Sequence, residues 1–234
     1  MTVGLPSLVS APPGPQTTAM TTPLSEHDIT SLDQLRQLYR EPVELAKLKK
    51  GPVIEGGAAE FVARSPFCCL ATAGADGTCD VSPRGGPAGQ VKVLAEGRAV
   101  ALPDLSGNNL LDSLTNIVVN PWAGLLVMVP GSDETMRIDG RAKLTTDPEI
   151  LNLWSDEVRT PKLAMVIEVD SAFLHCAKAF RRGGVWKPET WSVDDGKSTI
   201  RMFNALAGTD FDPDALRPEL EKSYAADLAG EQIT

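Results

Sequence analysis

The stretch SPRGGPAGQVKVLAEGRAVALPDLSGNNLLDSLTNIVVN, Ser82–Asn120, decides how this chain is read. Arg84 stands beside Gly85-Gly86, where a backbone without side chains lets a ligand come close to a guanidinium. Leu102-Pro103-Asp104 then closes an apolar strand. Gly107-Asn108-Asn109 opens the helical run LLDSLTNIVV, with asparagine available as its cap. Free amides at a helix start, small polar side chains and an arginine within reach make a place for a phosphate. The same residues also fit a plain strand–turn–helix junction with Arg84 on the surface, and spacing leaves both readings open.

Outward from this stretch the chain is written in short strands. Upstream, FCCLATAG leads through Asp76-Gly77, a strong hairpin signal, to TCDVSP. QVKVLAEG turns at Glu96-Gly97 into RAVALPD. Downstream, WAGLLVMVP reads as a buried strand, GSDE as a turn, TMRIDGRAKLTT as an alternating strand, and KLAMVIEVDSAFLHC completes a set of about six. Hairpin-joined strands with one inserted helix predict a mainly β fold with helices, an α+β antiparallel barrel. Helical patterns flank it. DITSLDQLRQLYREP has Asp28 or Thr30 as a cap and Pro42 as a stop, VELAKLKK ends at Gly51, and EGGAAEFVARS leads into the first strand. After Asp194-Asp195-Gly196 come STIRMFNALAG and DALRPELEKSYAADLAG. The expected division is a flexible Pro/Thr/Ser-rich tail at 1–28, the barrel domain with its helical preface at 29–195, and a helical extension at 196–234.

Composition narrows the function classes. With 234 residues, 42% apolar and 23% charged, the chain can bury one substantial core. A formal charge of −9 argues against a nucleic-acid binder, which needs a basic field. No apolar run is long enough for a membrane helix, and the N-terminus lacks the basic start and apolar segment of a secretory signal, so the expected location is cytoplasmic. Cys68, Cys69, Cys79 and Cys176 show no metal-ligand spacing and are expected as small buried hydrophobes, with neither a disulfide framework nor a metal site.

Other residues carry two readings each. Ser82 can add a hydroxyl from the Arg84 strand. Ser113 and Asn116 share a helical face with Asn109 and are expected to be secondary and exposed. Thr135 and Arg137 alternate onto one strand face, as ligand contacts or as a solvent face paired to Glu134 or Asp139. His175 fits an acid–base group or, more plainly, a packed or capping histidine. Arg181, Arg182 and Trp186, in a glycine-bearing loop, suit a cover over a flat aromatic ligand, or a tryptophan that anchors the C-terminal segment. No catalytic side chain is assigned.

Five segments occur in order: SPFCCLAT at 65–72, DVSPRGGP at 80–87, ALPDLSGNNLLDSLTNI at 101–117, ETMRIDGRA at 134–142 and FLHCAKAFRRGGVWKPETW at 173–191. As a set they resemble the pyridoxamine 5'-phosphate oxidase-like family of FMN-binding split barrels, over residues 30–195. The resemblance implies a six-stranded split β-barrel and a homodimer with FMN at the subunit interface. It places Ser82, Arg84, Gly85, Pro103, Asp104, Asn108 and Asn109 near the flavin phosphate. Thr135 and Arg137 would lie near the ring, with Arg182 and Trp186 covering cofactor held mainly by the other subunit. Two departures matter. The family's basic phosphate-binding residues are replaced by Asn108 and Asn109, which shifts more of the charge neutralisation onto Arg84 or another cation. The chain ends ELEKSYAADLAGEQIT in place of an arginine- and histidine-containing substrate motif, which argues against vitamin B6 phosphate as substrate. The implied function is an FMN-dependent oxidoreductase acting on a small molecule. The alternatives are a non-catalytic flavin-binding or sensing protein, or a split barrel using haem or a deazaflavin.

Overall fold

The computed structural model describes Pro23, residues 25–192 and residues 196–231. Most of the expected tail, residues 1–22 and Leu24, lies outside the described residues, as do Asp194 and Asp195 of the expected turn. The chain forms two compact units, Met1–Val43 and Glu44–Thr234. The first contains α1 (Leu32–Leu38), closed by a capping box. Ser31 accepts from the Gln34 amide while the Gln34 side chain accepts from the Ser31 amide. The cap is therefore Ser31, not Asp28 or Thr30; the Thr30 amide donates to Gln34 as well.

The second unit runs α2 (Glu44–Leu48), α3 (Gly57–Ala63), β1 (Phe67–Ala73), β2 (Cys79–Gly85), β3 (Lys92–Leu94) and β4 (Ala99–Pro103). Then follow α4 (Asp112–Val119), β5 (Trp122–Met128), β6 (Thr135–Thr145), α5 (Pro148–Leu151), β7 (Ala164–His175), α6 (Lys178–Gly183), α7 (Ser198–Ala207) and α8 (Pro213–Glu231). One antiparallel sheet has the order β2-β1-β5-β6-β7-β4-β3. It contains seven strands where about six were expected, one for each strand segment read from the sequence; the QVKVLAEG segment forms only the short Lys92–Leu94 strand, paired with β4. A left-handed turn makes that return possible: Ala95, Glu96 and Gly97 all have positive φ. A Cβ on Gly97 would lie 2.4 Å from the Ile54 carbonyl, so only glycine lets the turn close against the segment before α3.

The sheet curls. β2 and β4 are separated by four strands in the order, yet Arg84 of β2 reaches Asp104, just beyond β4, at 3.6 Å. The inner face holds the main core, with Leu70, Val100, Leu102, Leu125, Ile138 and Ile167 packed against Phe61 and Val62 of α3 and Leu114 and Ile117 of α4. A second cluster lies where Ala99, Ala101, Ala164 and Val166 meet Trp154 and Val158. The short α5 and the turn at Asn152–Trp154 build it, and neither was expected, because PEILNLW is too short to show helical periodicity.

Along β6 the register shifts between Asp139 and Gly140. A Cβ on Gly140 would sit 1.9 Å from the Glu168 carbonyl, so β7 approaches too closely for any side chain. Gly140→Ala is expected to cost about 3 kcal/mol, as overpacking does. Urea unfolding would show it as a lowered midpoint, and a wild-type midpoint would mean that the bulge relaxes freely.

The cysteine expectation needs correction. Cys68 is buried and Cys69 half-buried, on opposite faces of β1, but Cys79 and Cys176 are exposed. Cys79 opens the outer row of the edge strand β2, and Cys176 follows the end of β7. All four are free thiols. Among the described residues, no helix is long and apolar enough to cross a membrane.

Candidate functional site

Strand β2 puts Asp80, Ser82 and Arg84 on one face, opposite Thr72, Leu70 and Cys68 of β1. That row faces the loop from Asp104 to Leu111, the start of α4 and the loop Arg159–Leu163 across a cleft of about 960 Å³. This falls in the range of small-molecule sites. Arg84 Nη1 lies 3.6 Å from Asp104 Oδ1, with each side chain about one-fifth exposed. The Arg84 Nε is buried and has no hydrogen-bond partner among the described residues. A buried N–H on a cation is costly to leave unpaired, so Arg84 keeps unmet hydrogen-bonding capacity beside the cleft.

Burial raises the Asp104 carboxyl above its usual range, and Arg84 and Lys162 pull it partly back. The Asp104 amide donates to the Leu163 carbonyl at 3.0 Å, tying the two loops together. Beneath Arg84, burial pushes the Cys68 thiol up to about 12, so it stays protonated and is no nucleophile.

The helix start differs from the expectation. α4 begins at Asp112, and its cap, Leu111, makes no side-chain bond. Asn109 and Leu111 are both left-handed, at φ 59° and 63°, and turn the chain before the helix begins. Asn108 is therefore no cap; its Oδ1 accepts from the Leu110 amide at 3.0 Å and closes the turn. Ser113 and Asn116, expected on an exposed face, are buried. The Asn116 amide nitrogen donates to Thr72 Oγ1 at 3.1 Å and to Asp80 Oδ2 at 2.5 Å, fastening α4 onto β1 and β2.

Of the residues named from the sequence, Ser82, Arg84, Asp104, Asn108 and Asn109 line the cleft together. Gly85 and Pro103 end β2 and β4 and only flank it. Thr135, Arg137, Arg182 and Trp186 are not among its lining. Thr135 is buried opposite His175. Arg137 donates through Nε to both Asp139 oxygens, at 2.9 and 2.7 Å, the solvent-face pairing. Arg181 and Arg182 lie on helix α6, not in a loop, because Gly184 ends the helix only after them. Trp186 donates to the Ser132 carbonyl at 2.6 Å and packs on Phe180, which is the anchoring arrangement.

The cleft also contains residues the sequence reading passed over. Arg159 and Lys162, the basic pair in RTPK before β7, were visible as a signal. Glu231 was not: its Oε1 accepts from the Ser106 amide at 2.7 Å, and its carbonyl accepts from the Arg159 amide at 2.7 Å. Asp80, Asp104, Asp112 and Glu231 thus share the lining with Arg84, Arg159 and Lys162. Among the described residues no group of His, Cys, Asp and Glu could hold a metal ion.

A family model for pyridoxamine 5'-phosphate oxidase matches residues 54–176. The chain belongs to this family. The matched segment runs from before α3 to the end of β7, so it contains the Arg84–Asp104 cleft and stops short of α6 and Trp186. Solved structures of similar fold include a pyridoxamine 5'-phosphate oxidase-related, FMN-binding protein from Nostoc punctiforme, at 12% identity and TM-score 0.39, covering 51% of this chain and 82% of that one. HutZ, the heme storage protein from Vibrio cholerae, matches at 15% identity and TM-score 0.38, covering 52% and 94%. HupZ from Group A Streptococcus matches at 15% identity and TM-score 0.41, covering 50% and 89%. A search of curated protein sequences finds no match.

Proposed function

We propose that this member of the pyridoxamine 5'-phosphate oxidase family binds FMN with its phosphate in the cleft, and acts as an FMN-dependent oxidoreductase on a small molecule. The observation that carries the reading is Arg84: a mostly buried guanidinium with an unpartnered Nε, beside a helix start whose first amides have no side-chain cap. Arg84 would clamp the phosphate, Asp104 would hold the guanidinium in place, and the Ser82 and Ser113 hydroxyls would add donors. The neutral Cys68 thiol below brings no competing charge. When bound, the flavin supplies the hydride or electron transfer, and the chain contributes binding and orientation.

The chain would act as a homodimer. Val81 of β2, Trp122 of β5 and Phe67 of β1 lie on one outer face, at 71%, 49% and 37% exposure. An apolar face of this kind favours association.

The test is the visible spectrum of the purified chain, with sedimentation to give its mass. Flavin bands that bleach with NAD(P)H and recover in air support the reading. A Soret band would replace FMN with haem, and a deazaflavin spectrum would replace it likewise.

One observation favours a second reading, a non-catalytic flavin binder or sensor. The Glu231 carboxylate, which lines the same cleft as Arg84, already holds the Ser106 amide. Flavin that stays bound but is never turned over by any reductant would decide for that reading. On either reading Glu231→Gln is expected to tighten FMN binding about 2- to 5-fold, the size of a partly exposed charge interaction. Flavin-fluorescence titration measures this. An unchanged affinity would place Glu231 outside the field of the phosphate.

A further inference from the structure

A second cationic centre lies beside the paired strands β6 and β7, and none of its residues lines the cleft. Gly51 pairs with Ala172 through two backbone hydrogen bonds, at 3.1 and 2.7 Å, which hold the end of the α2 segment against β7. That bridge sets two consecutive lysines beside Phe173. Lys49 Nζ and Lys50 Nζ lie 5.5 and 5.0 Å from the centre of its ring, and Arg137 Cζ lies 5.3 Å away. The His175 ring packs on the same phenyl group at 4.8 Å.

The charges do not balance locally. Arg137 is paired with Asp139, which also receives the Ser171 hydroxyl at 3.5 Å. Neither lysine has a carboxylate partner among the described residues. Three cations against one carboxylate leave two positive charges around a single ring, on a chain whose formal charge is −9. Cation–π contact offsets only part of the mutual repulsion at an exposed site. The field is felt by the neighbouring imidazole: burial, then Lys49 and Arg137, hold His175 below its usual range, with Asp139 opposing them. His175 is then largely uncharged at neutral pH and can face an anion without adding a third uncompensated charge.

We propose that Lys49, Lys50 and Arg137, arrayed on Phe173, form a binding site for the dianionic phosphate group of a small molecule. Two ammonium groups and a guanidinium stand within 5.5 Å of one ring centre, and their surplus of two charges matches a phosphate dianion. A single carboxylate would neutralise only half of it. The site does not depend on the flavin reading, since it shares no residue with the cleft.

The chain has two histidines, His27 and His175, which give the test an internal control. The probe is inorganic phosphate added to the full chain, with chloride at equal ionic strength as reference, and each imidazole is titrated by NMR. Phosphate is expected to raise the His175 midpoint by about 0.5 pH unit or more and to leave His27 unmoved, because a bound anion cancels the local positive field. The double variant Lys49→Gln/Lys50→Gln should lose the phosphate response, and its His175 midpoint should already be raised without phosphate. Arg84→Ala should keep the response, which separates this site from the cleft. A His175 midpoint indifferent to phosphate in the wild type, or a response that survives in the double lysine variant, overturns the proposal.

Discussion

Arg84→Ala is expected to weaken FMN binding about 10- to 100-fold. Hydrogen bonds to charged groups contribute about 1.5–3 kcal/mol each, and each 1.4 kcal/mol is about a factor of ten in affinity. No other cation in the cleft lies on the β2 row; Arg159 and Lys162 come from the opposite loop. Arg84→Lys keeps the charge but loses the planar fork, so its affinity should fall between those of wild type and Arg84→Ala. Flavin-fluorescence quenching gives all three constants, and an Arg84→Ala protein that binds FMN like the wild type would end the anchor assignment.

The same substitution has a signature in stability. Burial raises the folded-state pKa of Asp104, so ionising it costs stability as the pH rises through and above the ordinary carboxylate range. Well below that range the group is protonated in both folded and unfolded chains and contributes nothing. Arg84 offsets the cost by favouring the ionised form. The stability deficit of Arg84→Ala should therefore be small in acid and grow toward neutral pH, which urea unfolding at several pH values would reveal.

Trp154→Ala should be the most damaging substitution in the second core cluster. Trp154 is fully buried, and its Nε1 donates to the Gln90 carbonyl at 2.8 Å. Truncating a buried tryptophan costs about 3–5 kcal/mol, and for a chain of this size that lowers the melting temperature by roughly 10 °C. The effect should reach the cleft. The Gln90 side-chain amide donates to the carbonyls of Pro66 and Arg84, at 2.9 and 3.1 Å, so Gln90 links Trp154 to the backbone of the proposed anchor. Trp154→Phe keeps most of the bulk but leaves the Gln90 carbonyl unpaired, at about 1–2 kcal/mol. A Trp154→Ala protein that melts within two or three degrees of wild type would show that the cluster collapses around the gap.

Every strand segment was legible along the chain, because two-residue alternation and turn residues such as Asp76-Gly77 are local properties. What the alternation could not supply was the partner of each strand. Strand β3 is only three residues long and exists because Ala95, Glu96 and Gly97 turn left-handed and return it to β4. α5 is four residues long and is stabilised by where Trp154 packs, not by any pattern of its own.

Membership of the pyridoxamine 5'-phosphate oxidase family follows from an ordered set of segments along the sequence, and the Asp76-Gly77 hairpin and the Arg84 strand from residues close together in the chain. Only the tertiary structure decided which candidates meet. It brought Ser82, Arg84, Asp104, Asn108 and Asn109 to one cleft, and held Thr135, Arg137, Arg182 and Trp186 apart from it. It also set Glu231 on the Ser106 amide, 125 residues away, and Lys49 and Lys50 on the ring of Phe173. The physical reason is that spacing reports which face a side chain takes, whereas the curl of the sheet and the docking of the C-terminal helix determine what stands opposite that face.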